Sequence, residues 1–448
     1  MPLTRSTSRR SFLKQTIAGA FAAPAFIRNL RAASPNNVVR HASFGAGGMA
    51  AADFGQIITH PDVKLVCVAD VDIGRAEALK ARFPELRVYQ DWRRLLDEES
   101  KNLDSVNVST PDHMHASIGM SALQRGLHVY GQKPLTHDVA ESRKLAEFAT
   151  QKKLVTQMGI QIHSDVTYRS AVQLIQGGTI GKVKSVHSWS EKRWGDGESR
   201  PDRTDPIPAD LNWDQWLGVC EARPFLGNGY YHPGNWRKRL DFGTGTFGDM
   251  GCHIFDPVFK ALELTAPTTL RSTGPAPNAF NWANDAVVHL TFPETKHTIG
   301  PSIPITWYDG VERPSNEVTR PLLGDRPLPS QGSLFMGEKG ALLLPHVSMP
   351  VLLPEAQFAG FVYPTLDPVN HWHQFVDAVK GNGTTSAHFG YSGPLTESVL
   401  LGGLATFFPN ETLEWNAAQL KFSNKPAADH LVRRPYRKGW DVPGLSSV

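Results

Sequence analysis

Six residues, Gly45-Ala46-Gly47-Gly48-Met49-Ala50, constrain this chain more than any other stretch. They follow a β-like run, Val38-Val39-Arg40-His41-Ala42-Ser43-Phe44, and open a helical one. A strand that turns into a helix so abruptly needs a residue without Cβ at the turn and a small residue where helix meets strand. Gly45, Gly47 and Ala50 fit the pattern G-x-G-x-x-G/A, whose second glycine lets the backbone approach a pyrophosphate at a helix N-terminus. A glycine-rich turn alone is also met as a plain loop, so the context decides. Further β-rich runs at 64–70, 104–110, 128–132 and 155–160 alternate with helix-like stretches at 74–83, 115–126 and 138–153. That alternation predicts a parallel sheet with helices on both faces. Asp70 ends the second run, 25 residues beyond Gly45, where an acid accepts hydrogen bonds from ribose hydroxyls and repels a 2′-phosphate. The expected ligand is NAD, with NADP disfavoured.

His128-Val129-Tyr130-Gly131-Gln132-Lys133-Pro134 ends a predicted strand on a lysine, and the carboxyl ends of strands in such sheets face the ligand crevice. Far downstream, Gly243 to Asp256 opens a predicted helix running to about Leu264, with Asp249 and His253 four apart and so on one face. Such a pair is common on a solvated helix face, and Lys-Pro is common in loops; only their occurrence together with the nucleotide turn joins them into one site.

At this point the chain resembles the glucose–fructose oxidoreductase / inositol dehydrogenase / MocA family. The likeness rests on the Gly45–Ala50 turn, Thr110-Pro111-Asp112-His113-Met114-His115, the triplet Gln132-Lys133-Pro134 and the Asp249-x-x-x-His253 helix. Members of the family usually carry Glu-Lys-Pro, so Gln132 departs from the pattern, and Asp112 stands where an Asn is typical. The resemblance implies an α/β protein: an N-terminal Rossmann doubly wound parallel sheet over residues 36–160, then a C-terminal α+β domain over 161–448 with a large, open, mostly antiparallel sheet. It implies cofactor contacts from Gly45, Gly47, Gly48, Met49, Asp70, Thr110, Pro111, His115, Gln132 and Lys133. It also implies a hydroxyl oxidation in which His253 accepts the proton, Lys133 steadies the substrate oxygen and Asp249 orients the site or holds the neighbouring substrate hydroxyl. In such proteins the outer face of the second sheet often makes subunit contacts, which implies a homo-oligomer.

Five of the 11 tryptophans, Trp189, Trp194, Trp213, Trp216 and Trp236, fall in one short stretch with Tyr230, Tyr231, His232 and Arg237. Aromatic faces beside hydrogen-bonding groups suit a sugar ring, though most of these residues equally suit a core. Tyr231, His232, Trp236 and Arg237, just ahead of the Asp249 helix, are the expected substrate contacts, and a carbohydrate is the expected substrate class. His113/His115 and His371/His373 are two apart, a poor chelate on a helix, and no metal is expected. Residues 306–331, rich in Pro and polar side chains, read as a long loop and candidate pocket lid; 285–292 and 332–345 read as antiparallel strands, 372–379 and 396–407 as helices, and 414–422 as a late strand.

The formal charge of +3 does not indicate nucleic acid, because no basic stripe interleaves with aromatics. Residues 1–33 carry six Lys or Arg and no acid, with Arg9-Arg10-Ser11-Phe12-Leu13-Lys14 ahead of a short, Ala-rich apolar run. That is the pattern of a twin-arginine export signal, too short to span a bilayer, and it predicts a periplasmic protein with no integral membrane segment in its mature form. Without those residues 40 basic side chains face 43 acidic ones. Three cysteines without a CxxC spacing exclude a disulfide scaffold. Outside the cytoplasm a dinucleotide pool is scarce, so the expected activity is an oxidoreductase on a sugar hydroxyl with tightly bound, internally recycled NAD. The alternatives are redox-neutral glycoside cleavage by oxidation, elimination and reduction, and a non-catalytic dinucleotide-binding protein.

Overall fold

The computed structural model describes residues 38–445; the export signal expected at 1–33 lies outside them. Six parallel strands form the first sheet: β1 (Val39–Phe44), β2 (Val63–Ala69), β3 (Arg87–Tyr89), β4 (Ser105–Val108), β5 (His128–Gly131) and β6 (Thr156–Met158), in the order β3-β2-β1-β4-β5-β6. Strand order reverses between β1 and β4, the switch point at which such sheets open a crevice at their carboxyl ends. The central strands are buried on both sides, so β1 carries His41 and Ser43 inside the protein. His41 is satisfied there by Ser105 Oγ (2.9 Å) and Asn107 Oδ1 (3.0 Å), and burial lowers its pKa to about 4, keeping it neutral.

Strand β3 and the helix Trp92–Glu99 were not evident from periodicity. The strand has only three residues and sits at the sheet edge, and the helix is short; Asp91 caps it by accepting a hydrogen bond from the Arg93 N–H at 2.8 Å.

The second sheet has nine strands: β7 (Val183–Ser190), β8 (Thr269–Ser272), β9 (Val287–Pro293), β10 (Ser302–Asp309), β11 (Gln331–Gly337), β12 (Ala341–Pro345), β13 (Val351–Leu353), β14 (Thr412–Asn416) and β15 (Lys421–Phe422). Their order is β13-β12-β11-β7-β10-β9-β8-β14-β15, antiparallel throughout except where β7 and β10 run parallel. Alternation of buried and exposed residues along β9 gives the sheet one face for the core. The β11–β12 hairpin, within the stretch 332–345 read as antiparallel strands, turns at 337–340.

Three expectations change. Residues 306–331 are not one loop: β10 runs to Asp309, a helix spans Asn316–Leu323 despite Pro321, and none of these residues lines the main cavity. The helix expected from Gly243 to Leu264 is two helices, Gly245–Ile254 and Asp256–Leu262, with Phe255 between them and Pro257 in the first turn of the second. The late strand is a hairpin of β14 and β15.

The chain after Gly159 also returns to the first sheet. Helix Phe389–Ala405 packs along helix Val139–Lys152, and helix His371–Val379 docks beside β6, where the His371 ring meets the Met158 carbonyl at 2.9 Å. From Val39 on, both sheets belong to one compact unit.

Candidate active site

A cavity of about 610 Å³ starts at the glycine-rich turn and reaches His253. Every residue expected to touch the cofactor lines it: Gly45, Gly47, Gly48, Met49, Asp70, Thr110, Pro111, His115, Gln132 and Lys133. Gly45 adopts φ +106°, and a Cβ there would stand 2.7 Å from Ala50 Cβ and 2.8 Å from the Ser109 carbonyl oxygen, so the turn closes only around glycine. Asp70 is tied to this turn: its Oδ2 accepts from the Ala46 N–H (2.8 Å) and its Oδ1 from the Asp72 N–H (2.9 Å). Part of its expected hydrogen-bonding capacity thus goes to shaping the turn, and one lone pair on each oxygen remains. Arg75, which the sequence reading passed over, lies 3.3 Å from where a Gly47 Cβ would be, lines the cavity and is ion-paired with Asp72 at 2.8 Å.

At the other end three elements converge. β5 delivers Lys133, the helix Gly245–Ile254 delivers Asp249 and His253, and the short 3-10 turn Asn235–Lys238 delivers Trp236 and Arg237. Lys133 Nζ donates to Asp249 Oδ1 and to the Asp249 carbonyl oxygen, both at 2.7 Å. Arg237 Nε donates to the same Oδ1 at 3.2 Å. Burial opposes the Asp249 carboxylate, but Lys133 and Arg237 outweigh it and hold its pKa at about 2. Burial and the Lys133 charge push the His253 imidazole well below its ordinary pKa, so it is neutral and able to accept a proton or hydrogen bond.

Gln132 occupies the position usual for the family's Glu, and the structure supplies a carboxylate beside it. Gln132 Nε2 donates to Asp53 Oδ2 at 2.8 Å, and Asp53 also accepts from Ser109 Oγ (2.8 Å) and Trp372 Nε1 (3.2 Å). Burial pushes Asp53 up to about 6. No spacing rule in the sequence pointed to Asp53, because its partners come from β5, β4 and the returning helix His371–Val379. The His115 ring sits between two carbonyl oxygens, of Pro134 (2.8 Å) and Thr110 (2.7 Å), and burial keeps it neutral, so its single N–H donates to one of them.

Of the expected substrate contacts, His232, Trp236 and Arg237 line the cavity, and Tyr231 does not. Tyr231 is 1% exposed and packs on Trp213, Trp216, Tyr230 and Phe242, because an aromatic ring of that size gains more from the core than from a wet wall. Trp189 is likewise core. Trp194 and Trp216 join Trp236 on the wall, with the Arg237 guanidinium 4.3 Å from the Trp236 ring centre.

The cavity wall fits a ligand rich in polar groups. Thr110 Oγ1, Trp194 Nε1, Trp216 Nε1 and His253 Nδ1 are buried there without a protein partner, a cost that a hydroxyl- and phosphate-bearing guest removes. Among the described residues no group of three His, Cys, Asp or Glu side chains is placed to hold a metal ion, and no helix is long and apolar enough to cross a membrane.

A family model described as oxidoreductase family, NAD-binding Rossmann fold, matches residues 39–160, and its companion, oxidoreductase family, C-terminal alpha/beta domain, matches 178–286. The chain is 30% identical over 145 residues to the scyllo-inositol 2-dehydrogenase (NAD(+)) of Bacillus subtilis, covering 32% of this chain and 42% of that protein. It is 24% identical over 214 residues to the levoglucosan dehydrogenase of Pseudarthrobacter phenanthrenivorans, covering 48% and 46%. The matched region thus spans less than half of these curated relatives. The WlbA dehydrogenase of Bordetella pertussis, solved with NADH and UDP-GlcNAcA, superposes with a TM-score of 0.59 at 15% identity, over 85% of this chain and 99% of that one, which shows a shared fold. With its glycine-rich NAD-binding sheet, its Lys133–Asp249–His253 end and its second α/β sheet, the chain belongs to the glucose–fructose oxidoreductase / inositol dehydrogenase / MocA family of oxidoreductases.

Proposed function

We propose that this protein oxidises a hydroxyl group of a sugar or sugar derivative, with NAD held in the 610 Å³ cavity and recycled there by return of the hydride to a second sugar. The observation that carries the reading is the Lys133–Asp249 ion pair at 2.7 Å, placed with His253 at the end of the cavity opposite Asp70. NAD in this cavity would be held by the Gly45–Met49 turn, Asp70, Thr110 and Gln132, and it supplies the hydride acceptor. The chain's own residues do the rest. Lys133 donates a hydrogen bond to the reacting oxygen and steadies charge developing on it, Asp249 keeps the ammonium in place, and His253 accepts from the substrate hydroxyl. Trp236, Trp194 and Arg237 offer two aromatic faces and a donor fork to a ring bearing several hydroxyls.

Retention of the cofactor is supported by a strap that reaches the cavity wall at Gln215. Segment 210–215 crosses the β2 side of the first sheet: the Ile73 N–H donates to the Asp210 carbonyl (2.9 Å), the Asn212 N–H to the Val71 carbonyl (2.9 Å), and Gln90 Nε2 to both carbonyls (3.1 Å each). Gln215 Nε2 adds a bond to Asp91 Oδ2 at 3.0 Å. Gln90 and Gln215 also line the cavity, so these bonds fix part of the wall that a bound dinucleotide would meet. Retention matters most for a protein that works away from a dinucleotide pool, as the Arg9-Arg10 segment proposes; export in the folded state and assembly as a homo-oligomer belong to the same reading.

Mass spectrometry of the denatured native protein tests the reading, with NAD(H) the expected release; NADP(H) in its place would refute the role given to Asp70. A panel of sugars and aryl glycosides then separates the chemistries. Oxidised sugar together with a reduced second sugar is the expected outcome, and aglycone release without net NADH would replace it with glycoside cleavage.

A further inference from the structure

Oxidation of an alcohol releases a proton as well as a hydride, and most of the polar side chains around Lys133 are poorly placed to carry that proton away. Asp249 is held as a carboxylate by Lys133 and Arg237. Lys133 spends two of its hydrogens on Asp249. Burial and the neighbouring ammonium oppose a charge on His253. Asp112 is different. It follows β4 at the cavity wall, 3% exposed, and its Oδ2 accepts a hydrogen bond from Thr244 Oγ1 at 2.8 Å. Thr244 also lines a second cavity, about 350 Å³, bordered by Asp241, Trp282, Leu404 and Arg434. Asp112 thus lines one cavity, and Thr244, whose hydroxyl donates to it, lines the next.

We propose that Asp112 takes the proton released from the substrate hydroxyl and passes it through the Thr244 hydroxyl to the second cavity. The proposal rests on the oxidoreductase reading above. The C–H electron pair leaves with its hydrogen as hydride to the oxidised nicotinamide dinucleotide, the O–H bond breaks, its pair becomes the second C–O bond, and its proton binds the Asp112 carboxylate, directly or by way of His253. The protonated carboxyl then donates to Thr244 Oγ, whose own proton moves to water in the second cavity. Re-reduction runs the same path backwards.

The groups facing Asp112 agree with such a role. Burial and the Asp249 charge raise its pKa, Arg237, Lys133 and the Thr244 hydrogen bond lower it, and the balance is about 7, so both states are accessible near neutrality. The Cys252 thiol, on the Asp249 helix, also lies within its field, and burial holds that thiol protonated.

The test uses the purified full-length protein with its bound cofactor and the variants Asp112→Asn and Thr244→Val. The wild type should show an inflection near neutrality in the pH profile of hydroxyl oxidation. Asp112→Asn should lose that inflection and slow roughly 10²–10⁴-fold in kcat, with KM little changed. Thr244→Val should slow turnover less and move the inflection to higher pH, because the carboxylate loses a donor. A second readout needs no substrate. A carboxyl whose pKa is raised on folding costs stability as pH rises from its unfolded value towards its folded one. Asp112→Asn should therefore melt higher than wild type above neutrality and no higher in acid. Unchanged rate and inflection in both variants, or an unchanged melting difference across pH in Asp112→Asn, overturns the proposal alone. If the wild type oxidises no alcohol in the panel, the oxidoreductase reading falls and the proposal with it.

Discussion

Asp249 stays ionised although buried because two cations reach one of its oxygens, Lys133 at 2.7 Å and Arg237 at 3.2 Å. Its folded pKa of about 2 lies below the ordinary 3.8, so its contribution to stability is fully present above the unfolded value and is lost as pH falls towards 2. Lys133→Ala removes the larger share of that depression. We expect the stability lost between those pH values to shrink in the variant, by calorimetry, and turnover to fall roughly 10²–10³-fold. Asp53 and Gln132 make a second residue-scale prediction. Gln132→Glu would set a carboxylate within hydrogen-bonding distance of Asp53, whose carboxyl burial already holds at about 6. At least one of the two must then stay protonated, so the variant should lose stability as pH rises through neutrality, and Asp53→Asn in the same background should restore it. Melting curves of the four proteins of that cycle at acid and alkaline pH measure a coupling of about 0.5–3 kcal/mol.

At the scale of elements, the turn at Gly45 joins β1 to the helix Met49–Ile57 in a backbone conformation that a side chain resists. Gly45→Ala pays the cost of φ +106° and drives its Cβ against the Ser109 carbonyl at 2.8 Å. We expect a loss of roughly 1–3 kcal/mol in unfolding free energy and a protein that purifies without dinucleotide, read by denaturant titration and by absorbance of the released cofactor. The same turn, with the β and α runs on either side, was legible in the sequence because local rules govern it: glycine conformation, β-branched runs and helical spacing. The elements that escaped were those without a strong local signal. β3 is a three-residue edge strand, and the helix Asn316–Leu323 carries Pro321 and many polar residues, so composition alone suggested a loop.

Across the whole molecule, the strap at 210–215 ties the chain between the sheets to the β2 side of the NAD-binding sheet. Gln90→Ala with Gln215→Ala removes three of its hydrogen bonds and two side chains of the cavity wall, and leaves Lys133, Asp249 and His253 unchanged. Bound NAD should then exchange faster, by an order of magnitude or more if each bond is worth about 1 kcal/mol, as isotope-labelled NAD chased by unlabelled NAD would report. An exchange rate equal to the wild type would mean that the strap does not hold the cofactor. Tyr231 shows the same scale at work in reverse: adjacent in sequence to His232 and close to Trp236, it is withdrawn into the core by Trp213, Trp216 and Phe242.

Local chemistry in the sequence determined the α/β class, the glycine-rich turn, Asp70, Lys133 and the Asp249–His253 spacing, since each depends on residues within a turn or a strand of one another. Only the tertiary structure decided that Asp53 stands beside Gln132, that Asp112 bonds Thr244 across 132 positions, that Arg75 covers the turn and that Tyr231 leaves the site. Those pairings come from chain segments far apart in sequence, brought together by burial, which no spacing rule encodes.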